Sequence, residues 1–381
     1  MVSLLSESPL IPNPEILHCY RTFYPESQGG VEQVILEIAQ KTDKCGVLTL
    51  ANSPLRLKLN EQFPVTAKRR WFSIASCCVG PGLFRALYRS KAKLLHFHFP
   101  WPFGDLSYFL AGRSRPLVVT YHSDIVRQRV LGTLYRPLMH WFLGRADRIV
   151  ATSYNYLETS PVLAAYRDKV KVIPLGVSEQ GYPEPLENAL VDVEMQYGKD
   201  FMLFVGVLRY YKGLEYLIRA AVNQPYRVVI AGKGPEAKRL KSLVDKLGAS
   251  NIYFSGFVSD EQKVALMKLC RAVVFPSHLR SEAFGVTLIE GLMNSKPLIS
   301  CEIGTGTSFV NQDGETGHVV KPADHLALRK AMNGLWSDPV KAGEMGRAGR
   351  CRYERLFTAD KMVAAYHQLY REVLLVRGLV D

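Results

Sequence analysis

The segment AVVFPSHLRSEAFGVTLIEGLM, residues 272–293, decides the fold. AVVF is apolar throughout and stops at Pro276, so it reads as a short strand buried on both faces. SEAFG reads as a loop leaving that strand, and VTLIEGLM has helix composition. A helix starting near Gly285 would aim free backbone N–H groups, and about half a positive charge, at whatever lies in front of it. That is a ready anion site. Glu282 stands just before the helix, and Glu290, eight positions on, lies about one and a half turns inside it. A carboxylate is a poor direct neighbour for a phosphate. The pair is better suited to hydroxyl groups on either side of one, such as the sugar hydroxyls flanking a diphosphate.

The same pattern extends in both directions. ILHCY, GVLTLA, KLLHFHF, PLVVTYHS, RIVATS and KVKVIPLGV are strand-like runs with helix-like runs between them. Val31, Val34, Ile35 and Ile38 follow the i, i+3, i+4, i+7 stripe of an amphipathic helix. After residue 200 the series restarts with FMLFVGVL, YRVVIAG, NIYFSGF, AVVFPS and PLISC. Apolar strands alternating with helices predict parallel sheets covered on both faces. Two series predict an α/β chain of two doubly wound, Rossmann-like domains. SEQGYPEPLENA is Pro-rich, acidic and unpatterned, so the boundary is expected near 176–195. The domains are then 1–176 and 177–357, with a C-terminal helix at about 358–381 able to pack back on the first. Facing each other, the two sheets would put their carboxyl ends on one cleft, where ligands of such sheets bind.

Composition bounds the function. The chain has 381 residues, 48% hydrophobic and 22% charged, which is globular. No apolar run reaches the length of a membrane span. The start, MVSLLSESPLIPNPE, lacks a basic opening and carries Glu7 where a signal peptide needs apolar residues, so a cytoplasmic location is expected. Seven cysteines form no C-x-x-C and read as buried or free thiols, and no metal-ligand cluster is visible. The net charge of +13 is uneven: residues 1–175 hold 22 Lys and Arg against 12 Asp and Glu. The excess gathers at Lys68, Arg69 and Arg70, beside Trp71 and Phe72, and at Arg85, Arg89, Lys91 and Lys93. Cations beside aromatics suit either an anionic membrane surface or an ordinary solvated face. No nucleic-acid-binding module accompanies them.

Further candidates stand at strand ends. Gly29 and Gly30 would let the backbone approach a ligand at a helix start. In VGVLRYYKG, Arg209 and Lys212 follow a strand and precede a helix near Gly213, a placement suited to a diphosphate. His122, in VVTYHSD, ends a first-domain strand, with Asp124 placed to orient its ring. His18, His96, His98 and His278 read as structural histidines satisfied by backbone carbonyls. AGKGPEAKRL lacks the G-K-[ST] of a phosphate loop, so Gly232 and Gly234 read as a tight strand-to-helix turn near the ligand. EIGTGTSFV, 302–310, is another Gly/Thr loop ahead of a helix-like run, with hydroxyls placed to reach a donor.

Together, FVGVLRYYKG, VVIAGKGP, NIYFSGFVS, SEAFGVTLIEG and DGETGHVVKP resemble glycosyltransferase family 4, retaining nucleotide-sugar enzymes of GT-B fold. The resemblance covers nearly the whole chain and is most specific where Lys212 stands 70 residues before Glu282. LRYYKG and GTGTSFVN look most like bacterial mannosyltransferases that build O-antigen polysaccharide on a lipid carrier. The resemblance implies a role for each residue. Glu282, with the N–H groups of Phe284 and Gly285, would hold the donor sugar, and Glu290 the ribose. Arg209 and Lys212 would hold the diphosphate, and His122 would lie beneath the transferred sugar. Gly30 would approach the phosphates or acceptor, while Gly256, Phe257 and Val258 would line the base pocket. Many relatives carry the phosphate Arg where this chain has Val207; Arg209, two residues on, would face the same side of an extended segment. The implied reaction takes α-mannose from GDP-mannose to an undecaprenyl-diphosphate-linked oligosaccharide. It needs no cofactor or metal ion and can take place at the cytoplasmic face of the inner membrane. Other readings are a GT-B enzyme using a UDP-sugar, a sugar-nucleotide epimerase, and a non-catalytic sugar-nucleotide-binding subunit of a polysaccharide assembly complex. A dinucleotide oxidoreductase is disfavoured by the missing glycine fingerprint.

Overall fold

The computed structural model describes residues 14–59, 63–74, 77–112, 115–125 and 129–380. The N-terminal residues 1–13, read above for a leader, lie outside the described residues. The chain divides into two compact units: Met1–Leu175 with Ala359–Asp381, and Gly176–Thr358.

The first unit is built on an eight-stranded sheet. Its strands are β1 (Ile16–Cys19), β2 (Cys45–Ala51), β3 (Leu55–Leu59), β4 (Phe63–Arg69), β7 (Leu94–Phe99), β8 (Leu117–Tyr121), β9 (Arg148–Ala151) and β10 (Val170–Val172); β5 (Phe72–Ile74) and β6 (Cys77–Val79) form a separate hairpin. The order is β10-β9-β8-β7-β1-β2-β4-β3, parallel except for β3 against β4. β1, β2, β7 and β8 are buried along their whole length, as expected for strands covered on both faces. The strand order reverses between β1 and β7, which is where a doubly wound sheet opens to ligands. The C-terminal helix Ala359–Val376 belongs to this unit, packing on the helix Gly30–Gln40 and sending Tyr366 and Tyr370 to the sheet.

The second unit is an all-parallel sheet of β11 (Met202–Val205), β12 (Val228–Ala231), β13 (Ile252–Gly256), β14 (Ala272–Phe275), β15 (Leu298–Cys301) and β16 (Gly317–Val320). Its order, β13-β12-β11-β14-β15-β16, reverses between β11 and β14. The loops after those two strands carry Arg209 with Lys212 and Glu282, respectively. Two glycines let these loops and strand ends close together. Gly213 is left-handed (φ +67°), and a Cβ there would stand 2.0 Å from the Pro276 carbonyl oxygen. Gly232 (φ +139°) would bring a Cβ within 2.0 Å of the Gly206 carbonyl oxygen.

Each cysteine is a free thiol. Among the described residues, no helix is long and apolar enough to cross a membrane.

Candidate active site

The close approach of Gly213 to Pro276 brings the two loops of the second unit into contact. Lys212 ends a single 3-10 turn, Tyr210–Lys212, and its Nζ lies 2.5 Å from Glu282 Oε2. Both side chains are nearly buried, at 12% and 11% exposure. Ser277 Oγ donates to the same carboxylate oxygen at 3.3 Å. Lys212 Nζ also stands 4.4 Å from the centre of the Phe275 ring, a cation–π contact that holds the ammonium over the end of β14.

Glu282 leads into the helix Val286–Met293, whose cap residue Gly285 is left-handed (φ +87°). The backbone N–H groups of Phe284, Gly285, Val286 and Thr287 find no acceptor among the described residues. Free N–H groups at a helix start, a lysine and a carboxylate therefore meet where the sheet order reverses. An anion with hydroxyl-bearing groups beside it fits that combination.

Glu290 is held separately. Its Oε1 accepts from Lys263 Nζ at 3.2 Å and from the Tyr182 hydroxyl. Burial pulls the Lys263 ammonium toward neutrality, but Glu290 and Asp260 outweigh it and raise its pKa. Lys263 is placed by the helix Asp260–Leu269, which opens with a full capping box between Ser259 and Gln262, a feature worth about 1 kcal/mol.

Two family models match the chain: glycosyltransferase family 4 over residues 28–180 and glycosyl transferases group 1 over 191–352. It is 48% identical over 351 residues to the D-rhamnosyltransferase WbpZ of Pseudomonas aeruginosa, covering 90% of this chain and 92% of that protein. It is 43% identical over 369 residues to the O-antigen chain mannosyltransferase C of Escherichia coli, covering 94% and 98%. The chain is a family 4 glycosyltransferase. Its fold is also that of sucrose-phosphate synthase from Thermosynechococcus elongatus, at TM-score 0.78 and 21% identity over 95% of this chain and 100% of that one. Anabaena HepE, solved with UDP and glucose, aligns at TM-score 0.77 and 19% identity over 94% and 99%. These likenesses establish the two-domain GT-B fold.

One segment of the glycosyltransferase's candidate site sits differently from expectation. Arg209 is exposed, and the backbone before it turns, with Arg209 N donating to Val207 O at 2.9 Å. The segment is therefore not extended, although Val207 and Arg209 both face outward around a buried Leu208. Lys212 is paired with a carboxylate, whereas Arg209 forms no ion pair with the described residues. Gly232 N donates to Gly256 O at 2.7 Å, so this glycine joins two strand ends. Phe257 is 74% exposed beyond β13, with Lys233 Nζ 5.9 Å from its ring centre. Phe284 is buried against Phe309 and Phe357, leaving its main chain as the group that faces the helix start.

The threonine hydroxyls of the 302–310 loop do not point outward. Thr307 Oγ1 donates to Cys301 O at 3.1 Å, and Thr305 Oγ1 is buried without a partner among the described residues. This loop instead braces the glutamate loop, with Gly306 N donating to Ala283 O at 2.8 Å.

In the first unit, the helix start at Gly30 is already met by a carboxylate. Glu32 is buried there, accepting from Thr22 at 2.8 Å and Ser27 at 2.7 Å. His122 is oriented by His98, whose Nδ1 lies 2.9 Å from His122 Nε2. Asp124 is engaged elsewhere, accepting from Tyr121 and Ser160 at 2.9 Å each. Burial, then Arg21, holds His122 down at about 3, so the ring is neutral at working pH.

His18 and His98 are bonded to each other, and His96 is bonded to Tyr370 and Thr120, where backbone carbonyls were expected. They also form a cluster that the spacing did not reveal, with a nitrogen from each ring within 4.8 Å of the others, close enough to hold a metal ion.

The basic patch divides as well. Arg70 bonds Glu26 and Asn52, and Lys93 pairs with Glu15. Lys68, Arg56, Arg85 and Arg89 line a cavity of about 510 Å³. Burial, followed by those three arginines, lowers the Lys68 pKa.

Proposed function

We propose that this glycosyltransferase moves an α-mannosyl residue from GDP-mannose to a lipid-diphosphate-linked saccharide during O-antigen assembly, keeping the anomeric configuration. The observation that carries this reading is the Lys212–Glu282 pair set against four unpartnered N–H groups where the second sheet reverses. In this reading the donor diphosphate takes the cationic side, met by Lys212, Arg209 and the helix start. Glu282 turns to the sugar hydroxyls and Glu290 to the ribose. His122 is the first-unit residue that touches the transferred sugar.

The bond from sugar C1 to the diphosphate oxygen breaks with its electron pair passing to the diphosphate. The acceptor oxygen bonds C1 on the same face, and its proton goes to the departing oxygen. Charge already in place at Lys212 and the helix start lowers the barrier with little reorganisation, and no metal ion is required. The names of the two relatives support a sugar of manno configuration. The higher identity to a D-rhamnosyltransferase favours one second reading, the 6-deoxy counterpart carried on the same nucleotide.

Trp71, Phe72 and Ile74 are 66%, 48% and 61% exposed beside Arg69, which supports contact with an anionic lipid surface where such an acceptor resides. The test is mass spectrometry of a synthetic lipid-diphosphate saccharide incubated with GDP-mannose or GDP-D-rhamnose. One added hexose from GDP-mannose supports the proposal. Addition from the deoxy donor alone selects the second reading, and nucleotide release without product rejects both.

A further inference from the structure

Behind His122 runs a continuous line of polar groups that the transfer reaction leaves unexplained. His122 Nε2 lies 2.9 Å from His98 Nδ1, and His98 Nε2 lies 2.9 Å from His18 Nδ1. The ring centres are 5.2 Å and 5.3 Å apart, with planes inclined by 20° and 18°. Those separations match the N···N distance plus the two ring radii, so the nitrogens point straight at each other. That is the geometry of an in-line N–H···N bond, in which both nitrogens are already committed.

The line continues from His18 Nε2 to the Tyr370 hydroxyl at 3.5 Å, and from there to His96 Nδ1 at 2.7 Å. His96 Nε2 lies 2.7 Å from Thr120 Oγ1, which lies 2.9 Å from the Tyr366 hydroxyl. The sheet register explains the alignment. His18 pairs with His96 across β1 and β7, and His98 pairs with Thr120 across β7 and β8. His96 and His98, like Thr120 and His122, are two residues apart and so share a face. The C-terminal helix covers that face with Tyr366 and Tyr370, spaced i, i+4. His18, His96, His98, Thr120, Tyr366 and Tyr370 are all buried.

A neutral imidazole has one donor and one acceptor, so every member of such a line gives on one side and takes on the other. Only two proton orders are possible, and the closed end selects between them. Tyr366 has Thr120 as its hydroxyl's one partner among the described residues. A buried O–H that donates to nothing loses its hydrogen bond to water and gains none in return. Tyr366 therefore donates to Thr120, Thr120 to His96 Nε2, His96 Nδ1–H to Tyr370 and Tyr370 to His18 Nε2. His18 Nδ1–H then donates to His98 Nε2, and His98 Nδ1–H to His122 Nε2. The remaining proton sits on His122 Nδ1, at the open end, which has no partner among the described residues. Burial keeps all four rings neutral, as this order requires.

We propose that this buried line fixes His122 as its Nδ1–H tautomer, so that the glycosyltransferase presents a hydrogen-bond donor to an oxygen of its sugar substrate. His98, His18 and Tyr370 are then positioning residues. The catalytic part rests on the reading of His122 above, whereas the tautomer stands without it. The test is long-range ¹H–¹⁵N NMR of histidine-labelled enzyme, after exposure to EDTA, together with kinetics of Tyr370→Phe, which cuts the line at its longest link. In wild type, His122 should show a protonated Nδ1 and an unprotonated Nε2. In Tyr370→Phe the two nitrogens should move toward averaged shifts. The fraction of turnover lost should match the fraction of His122 that has moved its proton, with the KM for donor unchanged. A His122 protonated on Nε2, or a metal-ligated nitrogen on any of the rings, overturns the inference. So does a Tyr370→Phe enzyme with the wild-type tautomer and turnover. If that variant does not fold, the wild-type spectrum decides alone.

Discussion

Lowering the pH from about 7.5 to about 5.5 should destabilise the first unit, and the size of the effect follows from its buried histidines. Burial holds His18 and His122 down at about 3 and pushes His96 and His98 well below their ordinary value. In the unfolded chain each titrates near 6.5. The unfolded state therefore binds more protons below that pH, and stability falls as pH falls. The effect is absent well above 6.5 and grows until the folded values, near 3 for His18 and His122, are reached. Each ring costs about 1.4 kcal/mol over the two-unit step, so four cost about 5.5 kcal/mol. Two carboxylates act in the opposite sense: burial raises Asp105 well above its usual range and raises Glu37. They bind protons in the folded state, and Asp105 alone offsets up to about 2.7 kcal/mol.

Comparison with a variant cancels that offset. His98→Gln deletes one ring and leaves both carboxylates in place, so it should lose about 1.4 kcal/mol less than wild type over the same step. The assay is denaturant-dependent hydrogen exchange of the β1 and β7 amides, corrected for intrinsic rates at each pH. Equal acid sensitivity in wild type and His98→Gln would refute the reasoning, because it would mean that the ring is already charged, or solvated, in the folded protein.

Three further outcomes follow from the second unit and the exposed hairpin. Arg209→Ala and Lys212→Ala should each lower turnover by a factor on the order of 10² to 10³, the scale of losing one preorganised charge; wild-type rates in both would remove the phosphate assignment. Gly232→Ala should prevent the second unit from folding, since its Cβ would stand 2.0 Å from the Gly206 carbonyl oxygen, and normal thermal unfolding of that variant would contradict the close crossing. Arg69→Glu combined with Trp71→Ser should release the enzyme from anionic vesicles while leaving its far-UV circular dichroism intact; unchanged co-sedimentation would reject the docking surface.

The buried parallel strands were legible because a strand covered on both faces must be apolar throughout, and AVVF, FMLFV and LLHFHF are dominated by apolar residues. β3 and β4 escaped notice because LRLKL and FPVTAKR alternate apolar with polar residues at a sheet edge. β5 and β6 are three residues each, too short for any period to show. Lys212 and Glu282 could be found because each follows a strand that ends where the sheet reverses. Tyr182, which bonds Glu290, lies in the unpatterned SEQGYPEP stretch and had no signal. His18 and His98 are 80 residues apart, and only the β1–β7 register joins them. The repeated H-x-H of β7 was the available clue, since alternation puts both rings on one face.

The most direct measurement is isothermal titration of GDP-mannose, with UDP- and dTDP-sugars as comparisons, into wild type, Lys212→Ala and Glu282→Gln. The account predicts that the wild-type protein binds the GDP-sugar and that both substitutions weaken binding at least tenfold, about 1.4 kcal/mol, with the fold intact. Undiminished affinity in both variants, or no nucleotide-sugar bound by wild type, would contradict it.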